Sequence, residues 1–292
     1  FFFQAEDCIR DSVASRVLGD VYKRQDLKSR SICMTQAASL ETHMFPCLSD
    51  NYGFLIHDPI HKITATIDTP EVTAIQNALE EKNWSLTHII NTHHHYDHAG
   101  GNLELKNITD CHIIGPEADQ SRIPGIDQTI AHEEEFQFGE HKVKAFHTPG
   151  HTLGHMVYHF EEQSLAFVGD TLFAMGCGRL FEGTPEQMWS SLNIIKEWPE
   201  KTQLFCAHEY TQANAEFALT VDPDNEALLK RKIDVENLRN NNQPTVPTTL
   251  SIEKDTNPFL RANDSNIKAH LGMSQSSDLE TFAEIRKRKD NF

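Results

Sequence analysis

Four potential metal ligands lie within six consecutive positions, and this cluster constrains the chain more than any other feature. Residues 92–101 contain them: His93, His95, Asp97 and His98. Residues 86–91 have the composition of a buried strand, and Gly100 and Gly101 predict a turn after the cluster. Neutral imidazole and carboxylate are the usual protein ligands of zinc and similar ions. The run therefore predicts a metal site at the end of a strand.

The spacing within this run allows two ions. His93 and His95 are two positions apart, so an extended loop directs both side chains the same way. Asp97 and His98 lie beyond them and can reach a second ion. Two ions need further ligands, and three candidates directly follow later predicted strands: His151, Asp170 and His208. Taken singly, each is more typical of a capping or core polar residue, but together with the run they complete a set.

Hydrophobic patterns predict alternating strands and helices from Met34 onwards. Strands are predicted at residues 52–57, 63–67, 86–91, 111–114, 141–146, 155–160, 164–168 and 203–206. Helices are predicted at 70–82 and 185–198, and then at 211–219, 225–240 and 278–288. We therefore expect a β-rich domain over residues 34–208 and a helical domain over residues 209–292. Residues 1–33 are expected to be a non-native or disordered leader.

Net charge and cysteine content indicate which binding partners and which cellular compartment to expect. The formal net charge of −17 disfavours a nucleic-acid binder, which is normally basic. No apolar stretch approaches the length of a membrane span, so no membrane partner is expected. The six cysteines are scattered without CxxC spacing, which favours reduced thiols in a cytoplasm. We expect a cytoplasmic monomer.

The order HxHxDH, then a single histidine, an aspartate and a single histidine resembles the metallo-β-lactamase superfamily. The resemblance covers residues 38–292 and implies an α+β fold, in which an αββα sandwich is followed by a small all-α C-terminal domain. It implies one ion held by His93, His95 and His151, a second held by Asp97, His98 and His208, and Asp170 as a bridge between the two. Zinc is favoured, although iron or manganese also suits these ligands.

Two divalent ions in such a site suit hydrolysis of an acyl group. They lower the pKa of a shared water and stabilise a developing oxyanion. The resemblance assigns Asp97 and Asp170 the catalytic task of orienting a metal-bridging hydroxide. Asp68 and His155 could fix the orientation of imidazole ligands, although a purely structural polar role is the commoner one for each.

Four further segments resemble the glyoxalase II family: residues 176–184, 208–211, 257–261 and 286–292. In that family C-terminal helices grip the glutathione part of S-lactoylglutathione. The resemblance implies the following substrate-binding residues: Arg179, Leu180, Phe181, His208, Glu209, Tyr210, Arg286 and Lys289. Arginine and lysine suit the carboxylates of this acidic tripeptide. Taken alone, the basic tail would equally suit a helix end stabilised by the helix dipole.

The implied activity is hydrolysis of S-D-lactoylglutathione to glutathione and D-lactate, the second step of methylglyoxal detoxification. Two positions depart from the family, which often has lysine where Arg179 stands and tyrosine where Phe181 stands. The alternative is a glutathione persulfide dioxygenase with a single iron, which would not need His98 and His208 as ligands. A β-lactamase, an RNA-processing enzyme and a non-catalytic metal-binding protein are disfavoured.

Overall fold

The computed structural model describes residues 40–292, whose first six strands form one sheet. These strands are β1 (Glu41–Cys47), β2 (Asn51–Asp58), β3 (Ile63–Ile67), β4 (His88–Ile90), β5 (His112–Pro116) and β6 (Gln128–Ile130). They lie side by side in chain order. Strands β1 to β3 pair antiparallel, whereas β3 to β6 pair parallel. The parallel part brings the ends of several strands to one edge.

A second six-stranded sheet contains most of the later strands. The chain continues with β7 (Glu135–Phe138), β8 (His141–His147), β9 (Met156–Phe160), β10 (Leu165–Gly169), β11 (Leu172–Phe173), β12 (Gly176–Cys177), β13 (Gln203–Cys206) and β14 (Thr248–Thr249). The order in the sheet is β14, β13, β10, β9, β8, β7, and β11 pairs with β12 alone. Only the β10–β13 pairing in the described part of this sheet is parallel.

Helices lie outside the sheets and dominate the C-terminal part. They are α1 (Val72–Lys82), α2 (Tyr96–Ala99), α3 (Asn102–Thr109), α4 (Pro185–Lys196), α5 (Thr211–Val221), α6 (Glu226–Asn240), α7 (Leu250–Thr256), α8 (Ser265–His270) and α9 (Asp278–Asp290). Local sequence explains where α4 begins. Thr184 and Gln187 form a reciprocal capping box, and Pro185 occupies the first helical position. Ser277 and Glu280 cap α9 in the same way.

The alternation of side chains along β2 produces the layers. Phe54 points between the sheets, where its ring centroid lies 5.6 Å from those of Phe167 and Phe205 in the second sheet. The next residue, Leu55, points to the other face and packs in a cluster with Ile75 of α1. Both faces of β2 are thus apolar and buried, as expected for a strand between a helix layer and a second sheet.

The predicted α+β αββα fold is confirmed. All eight predicted strands and all five predicted helices are present with small shifts at their ends. The C-terminal part is not entirely helical as predicted, because it contains β14, which pairs with β13. The described residues 40–292 belong to one compact unit, and the division at residue 208 stays a prediction. The predicted leader lies outside the described residues. None of the helices in residues 40–292 has the length and hydrophobicity needed to cross a membrane.

Candidate metal centre

The structure brings the predicted ligands together at one edge of the two sheets. They come from the loop after β4, the short helix α2 that follows it, the β8–β9 loop, and the residues that follow β10 and β13: His93, His95, Asp97, His98, His151, Asp170 and His208. Their ligand atoms form three overlapping groups, each within 4.8 Å. Residues far apart in sequence thus converge because the strands that carry them end at the same edge.

One group consists of three histidines. His93 Nε2 lies 3.0 Å from His95 Nδ1, and His151 Nε2 lies 3.1 Å from the same atom. His93 is completely buried, whereas His95 is partly exposed. These are the three residues that the resemblance to the metallo-β-lactamase superfamily implies for the first ion.

A second group contains the residues predicted for the other ion. Asp97 Oδ2 lies 3.6 Å from Nε2 of His98 and 3.6 Å from Nε2 of His208. Asp170 stands between the groups, with Oδ1 3.4 Å from His208 Nε2 and Oδ2 3.3 Å from His151 Nε2. One carboxylate therefore faces both sets of ligands.

Two buried atoms show that this arrangement fits a cation. His98 Nε2 and Asp170 Oδ1 have no hydrogen-bond partner, although both are inaccessible to solvent and only 3.5 Å apart. Buried polar atoms are normally satisfied. Two ligands on one tetrahedral zinc ion, each about 2.1 Å from the metal, stand about 3.4 Å apart. The residues present thus fit divalent ions, and coordination would satisfy both atoms.

Burial and neighbouring charges set the protonation of the histidines. Burial lowers the pKa of His93 well below its usual value, and the neighbouring His98 lowers it further. Burial, with His151, lowers the pKa of His95 to about 4. These rings are neutral at pH 7 and have a nitrogen lone pair available for a metal. Burial also acts to lower the pKa of His98, but Asp170 and Asp68 outweigh it and raise the value to about 9.

Hydrogen bonds at the opposite ring nitrogens orient three of the histidines. His98 Nδ1 lies 2.8 Å from Asp68 Oδ2, and His208 Nδ1 lies 2.9 Å from Asp50 Oδ1. His151 Nδ1 donates to the carbonyl oxygen of Arg179 at 2.9 Å. Each contact turns Nε2 toward the cluster. Partners of this kind fix the tautomer of a metal ligand and raise its basicity.

The end of the β1–β2 turn contributes two contacts that the sequence did not indicate. Asp50 contacts His208, and Asn51 Nδ2 donates to Asp97 Oδ2 at 3.1 Å. The Asp-Asn pair before a predicted strand was the only available signal, and it is typical of any turn. His155 Nε2 accepts from the backbone N–H of Asp170 at 3.0 Å, and its ring stacks on that of His93 with centroids 4.8 Å apart.

A cavity of about 800 Å³ opens beside the ligand cluster. Five predicted substrate-binding residues line it in addition to His208: Arg179, Phe181, Tyr210, Arg286 and Lys289. Tyr210 stacks on His208 with ring centroids 4.8 Å apart and an interplanar angle of 3°. Phe173, Cys177 and Asn214, which the sequence did not single out, also line this space.

Two predicted substrate-binding side chains lie elsewhere. The Glu209 carboxylate accepts from Tyr52 Oη at 2.5 Å and from the backbone N–H of Thr245 at 2.9 Å. Leu180 packs against the main hydrophobic core. Both residues have neighbours that do line the cavity. In an extended loop adjacent side chains point to opposite sides, and the motif alone did not specify which of them face substrate.

The two basic residues of α9 that line the cavity are held differently. Arg286 is buried and donates to the carbonyl oxygen of Cys177 at 2.9 Å and to Asp290 Oδ1 at 2.8 Å. Lys289 Nζ donates to the carbonyl oxygen of Ala213 at 3.2 Å, and burial lowers its pKa. Arg286 is thus fixed by its neighbours, and Lys289 keeps donors that can serve a ligand.

Two family models match the chain. Residues 68–208 match the metallo-beta-lactamase superfamily, and residues 209–292 match the hydroxyacylglutathione hydrolase C-terminus. The superfamily match implies binding of divalent metal ions, in agreement with the ligand groups described above.

Similar proteins support both matches, and a similar structure supports the fold. A protein of Maricaulis maris named hydroxyacylglutathione hydrolase is 54% identical over 255 residues, which are 87% of this chain and 100% of that protein. One of the same name from Rhizobium meliloti is 53% identical, with the same coverage. The crystal structure of ETHE1 from Myxococcus xanthus has a TM-score of 0.61 at 21% identity, covering 85% of this chain and 90% of that chain. This structural likeness concerns the fold.

Proposed function

Because the chain belongs to the hydroxyacylglutathione hydrolase family, we propose that it hydrolyses S-(2-hydroxyacyl)glutathione thioesters, S-D-lactoylglutathione among them. The products are glutathione and the 2-hydroxy acid, here D-lactate. One observation carries the proposal: Asp170 faces two groups of metal ligands at the floor of a cavity that also contains basic side chains.

Two ions per chain, with zinc favoured, are proposed for this centre. When bound, such ions supply an acidified water as nucleophile and electrostatic stabilisation of the charge that develops on the thioester oxygen. The seven proposed ligands are His93, His95, His151, Asp97, His98, His208 and Asp170. Hydrogen bonds within the chain orient two of these ligands, since Asn51 donates to the side chain of Asp97 and His155 accepts from the backbone N–H of Asp170.

The wall of the cavity suits the glutathione part of the substrate. Glutathione carries two carboxylates, and Arg179 and Lys289 offer cationic groups in a protein whose net charge is −17. The Arg179 side chain is 55% exposed and lies 3.4 Å from Asp290, so it can exchange this partner for a substrate carboxylate. Tyr210 and Phe181 present aromatic surface at the same cavity.

The alternative, a glutathione persulfide dioxygenase with a single iron, has less support. Relatives that match 87% of the chain are named hydroxyacylglutathione hydrolase. In addition, His98 and His208 lie with Asp97 in a ligand group of their own, which a single-iron site would not use.

We also propose that the protein works as a monomer in a reducing cytoplasm, without nucleic-acid or membrane partners. The four cysteines in residues 40–292 are buried and unpaired, which is compatible with that compartment.

Steady-state hydrolysis of S-D-lactoylglutathione, measured beside metal analysis of the same sample, tests the proposal. We expect turnover of the glutathione thioester with about two ions per chain. The lactoyl thioester of N-acetylcysteamine, which lacks the tripeptide, should be a much poorer substrate. A metal-loaded protein that leaves S-D-lactoylglutathione intact but consumes oxygen with glutathione persulfide would establish the alternative instead.

A further inference from the structure

An ionic network outside the metal centre joins the ligand run to residues 178–183, which we call the substrate loop. Arg122 Nη1 donates to Glu182 Oε1 at 2.6 Å, and Nη2 donates to Oε2 at 3.1 Å. On its other side, Arg122 Nε donates to Asp119 Oδ1 at 3.1 Å. Asp119 Oδ2 lies 3.0 Å from Nδ1 of His94, the residue between two proposed ligands. The network thus runs continuously from the ligand run to the substrate loop.

Asp119 is the most firmly held residue of this network. Its side chain is completely buried, and both oxygens are engaged, one by Arg122 and one by His94. The backbone of Gly154 comes so close that a Cβ there would stand 2.1 Å from Asp119 Oδ1. Only glycine permits this approach. A buried carboxylate that is paired on both oxygens is costly to displace, so the guanidinium of Arg122 is held firmly.

Glu182 connects Arg122 to the substrate loop. Besides its pair with Arg122, its Oε2 accepts from the backbone N–H of Leu153 at 2.7 Å. The adjacent N–H groups of Phe181 and Gly183 donate to the carbonyl oxygens of His151 at 3.2 Å and Gly150 at 3.0 Å. Arg122 lowers the pKa of Glu182 to about 2, so the carboxylate stays charged at any working pH. The substrate loop is therefore tied to the loop that carries His151.

We propose that Arg122 and Glu182 are positioning residues that hold Arg179 and Phe181 where they can bind the glutathione part of the substrate. This inference rests on the proposed function. Neither side chain needs to touch a reacting atom. The two-bond pairing of the guanidinium with Glu182 fixes direction as well as distance, which a lysine at position 122 could not do.

The first test uses Glu182→Gln, which keeps the shape of the side chain and removes its charge. Glu135→Gln is the matched control, because Glu135 forms an ion pair of 2.8 Å with Lys142 and both side chains are exposed on the edge of the second sheet. For Glu182→Gln we expect KM for S-D-lactoylglutathione and the Kd of glutathione, from calorimetry, to rise about 10-fold. The value of kcat, the metal content and the kinetics with the N-acetylcysteamine thioester should stay close to wild type.

Arg122 variants separate charge from geometry. Arg122→Ala should raise KM at least as much as Glu182→Gln, because it also removes the partner of Asp119 Oδ1. The double variant should be no worse than Arg122→Ala alone, because both changes remove the contact between Arg122 and Glu182. Arg122→Lys keeps the charge without the paired donors and should give an intermediate KM. Equal losses with the two thioesters, or fully additive losses in the double variant, would show general destabilisation and overturn the inference.

Hydrogen exchange supplies a readout that does not depend on activity. The amides of Phe181 and Gly183 should exchange faster in Glu182→Gln and Arg122→Ala than in wild type, whereas Glu135→Gln should leave them unchanged. Unchanged protection in all variants overturns the inference even if the wild-type enzyme hydrolyses S-D-lactoylglutathione. If the wild-type enzyme fails to hydrolyse it, the proposed function fails, and the exchange data still decide whether Arg122 and Glu182 position the loop.

Discussion

Asp68 Oδ2 lies 2.8 Å from His98 Nδ1, in a contact between two buried side chains. Asp68 has a left-handed backbone conformation, with φ of 60°, which is uncommon for a residue other than glycine. Its carboxylate also accepts from the N–H and the hydroxyl of Thr92, both at 2.7 Å. Asp68 thus has a backbone conformation of higher energy, and its carboxylate holds the ring of His98 with Nε2 toward the ligand cluster.

Replacing Asp68 tests this relationship. We expect Asp68→Asn to retain the fold and to bind the second ion about 10- to 100-fold more weakly, so that dialysed protein holds about one ion per chain instead of about two. Metal analysis after dialysis measures the loss. Asp110→Asn is a suitable control, because Asp110 is exposed and has a similar φ of 56°. A variant that retains both ions with wild-type affinity contradicts the proposed role of Asp68.

The ligand cluster could be predicted from sequence because its members have distinctive chemistry and follow recognisable strands. His151 and His208 are single residues, but each comes shortly after a run of apolar residues, and the ends of such strands meet at one edge. Spacing and strand prediction together were therefore enough to indicate which residues converge.

Other parts of the site depend on contacts that no local pattern encodes. Strand β1 was not predicted, since its sequence alternates weakly and contains Pro46, and without it the turn at Asp50 had no assigned place. Arg122 and Glu182 are 60 positions apart, and nothing near either residue indicates the other. The sequence motif also did not show that the carboxylate of Glu209 turns toward Tyr52, away from the cavity.

Metal removal should abolish activity and lower stability. Without ions, His98 Nε2 and Asp170 Oδ1 are buried without a hydrogen-bond partner. Removing the metal therefore removes the coordination bonds that offset the cost of burying these two polar atoms. We expect a chelator to eliminate S-D-lactoylglutathione hydrolysis and to lower Tm, and added Zn, Fe or Mn to restore both. Chelator saturated with metal beforehand is the control. Full activity in a sample shown to be free of metal would refute the proposed chemistry.

Lys289→Ala tests the basic tail more cleanly than a change at Arg286, which is buried and bonded to Cys177 and Asp290. Loss of the ammonium group should raise KM for S-D-lactoylglutathione by about 5- to 10-fold, with little change for the N-acetylcysteamine thioester. Lys287→Ala, on the same helix with a side chain that is 76% exposed, is the control and should be neutral. If both thioesters respond equally to Lys289→Ala, the residue does not bind the glutathione part.

The buried ring of His159 should make the fold sensitive to acid. It stacks on Trp198 with centroids 4.3 Å apart, is 4% exposed, and its Nε2 has no hydrogen-bond partner. Burial lowers its pKa to about 4, despite an opposing effect of Glu161. Because the unfolded chain takes up this proton near pH 6.5, stability that is fully present above that pH is lost as the pH falls from 6.5 toward 4.

Variants at His159 should remove this part of the acid sensitivity. Phenylalanine can retain the stack on Trp198, whereas glutamine loses it, so the two variants need not be equally stable at pH 7. For both His159→Phe and His159→Gln, the fall in unfolding free energy between pH 7 and pH 4.5 should be smaller than in wild type by about 2 kcal/mol. Urea denaturation of metal-free protein at the two pH values measures it. The same fall in all three proteins would mean that His159 titrates alike in the folded and unfolded states, and the acid sensitivity would then have to come from other groups.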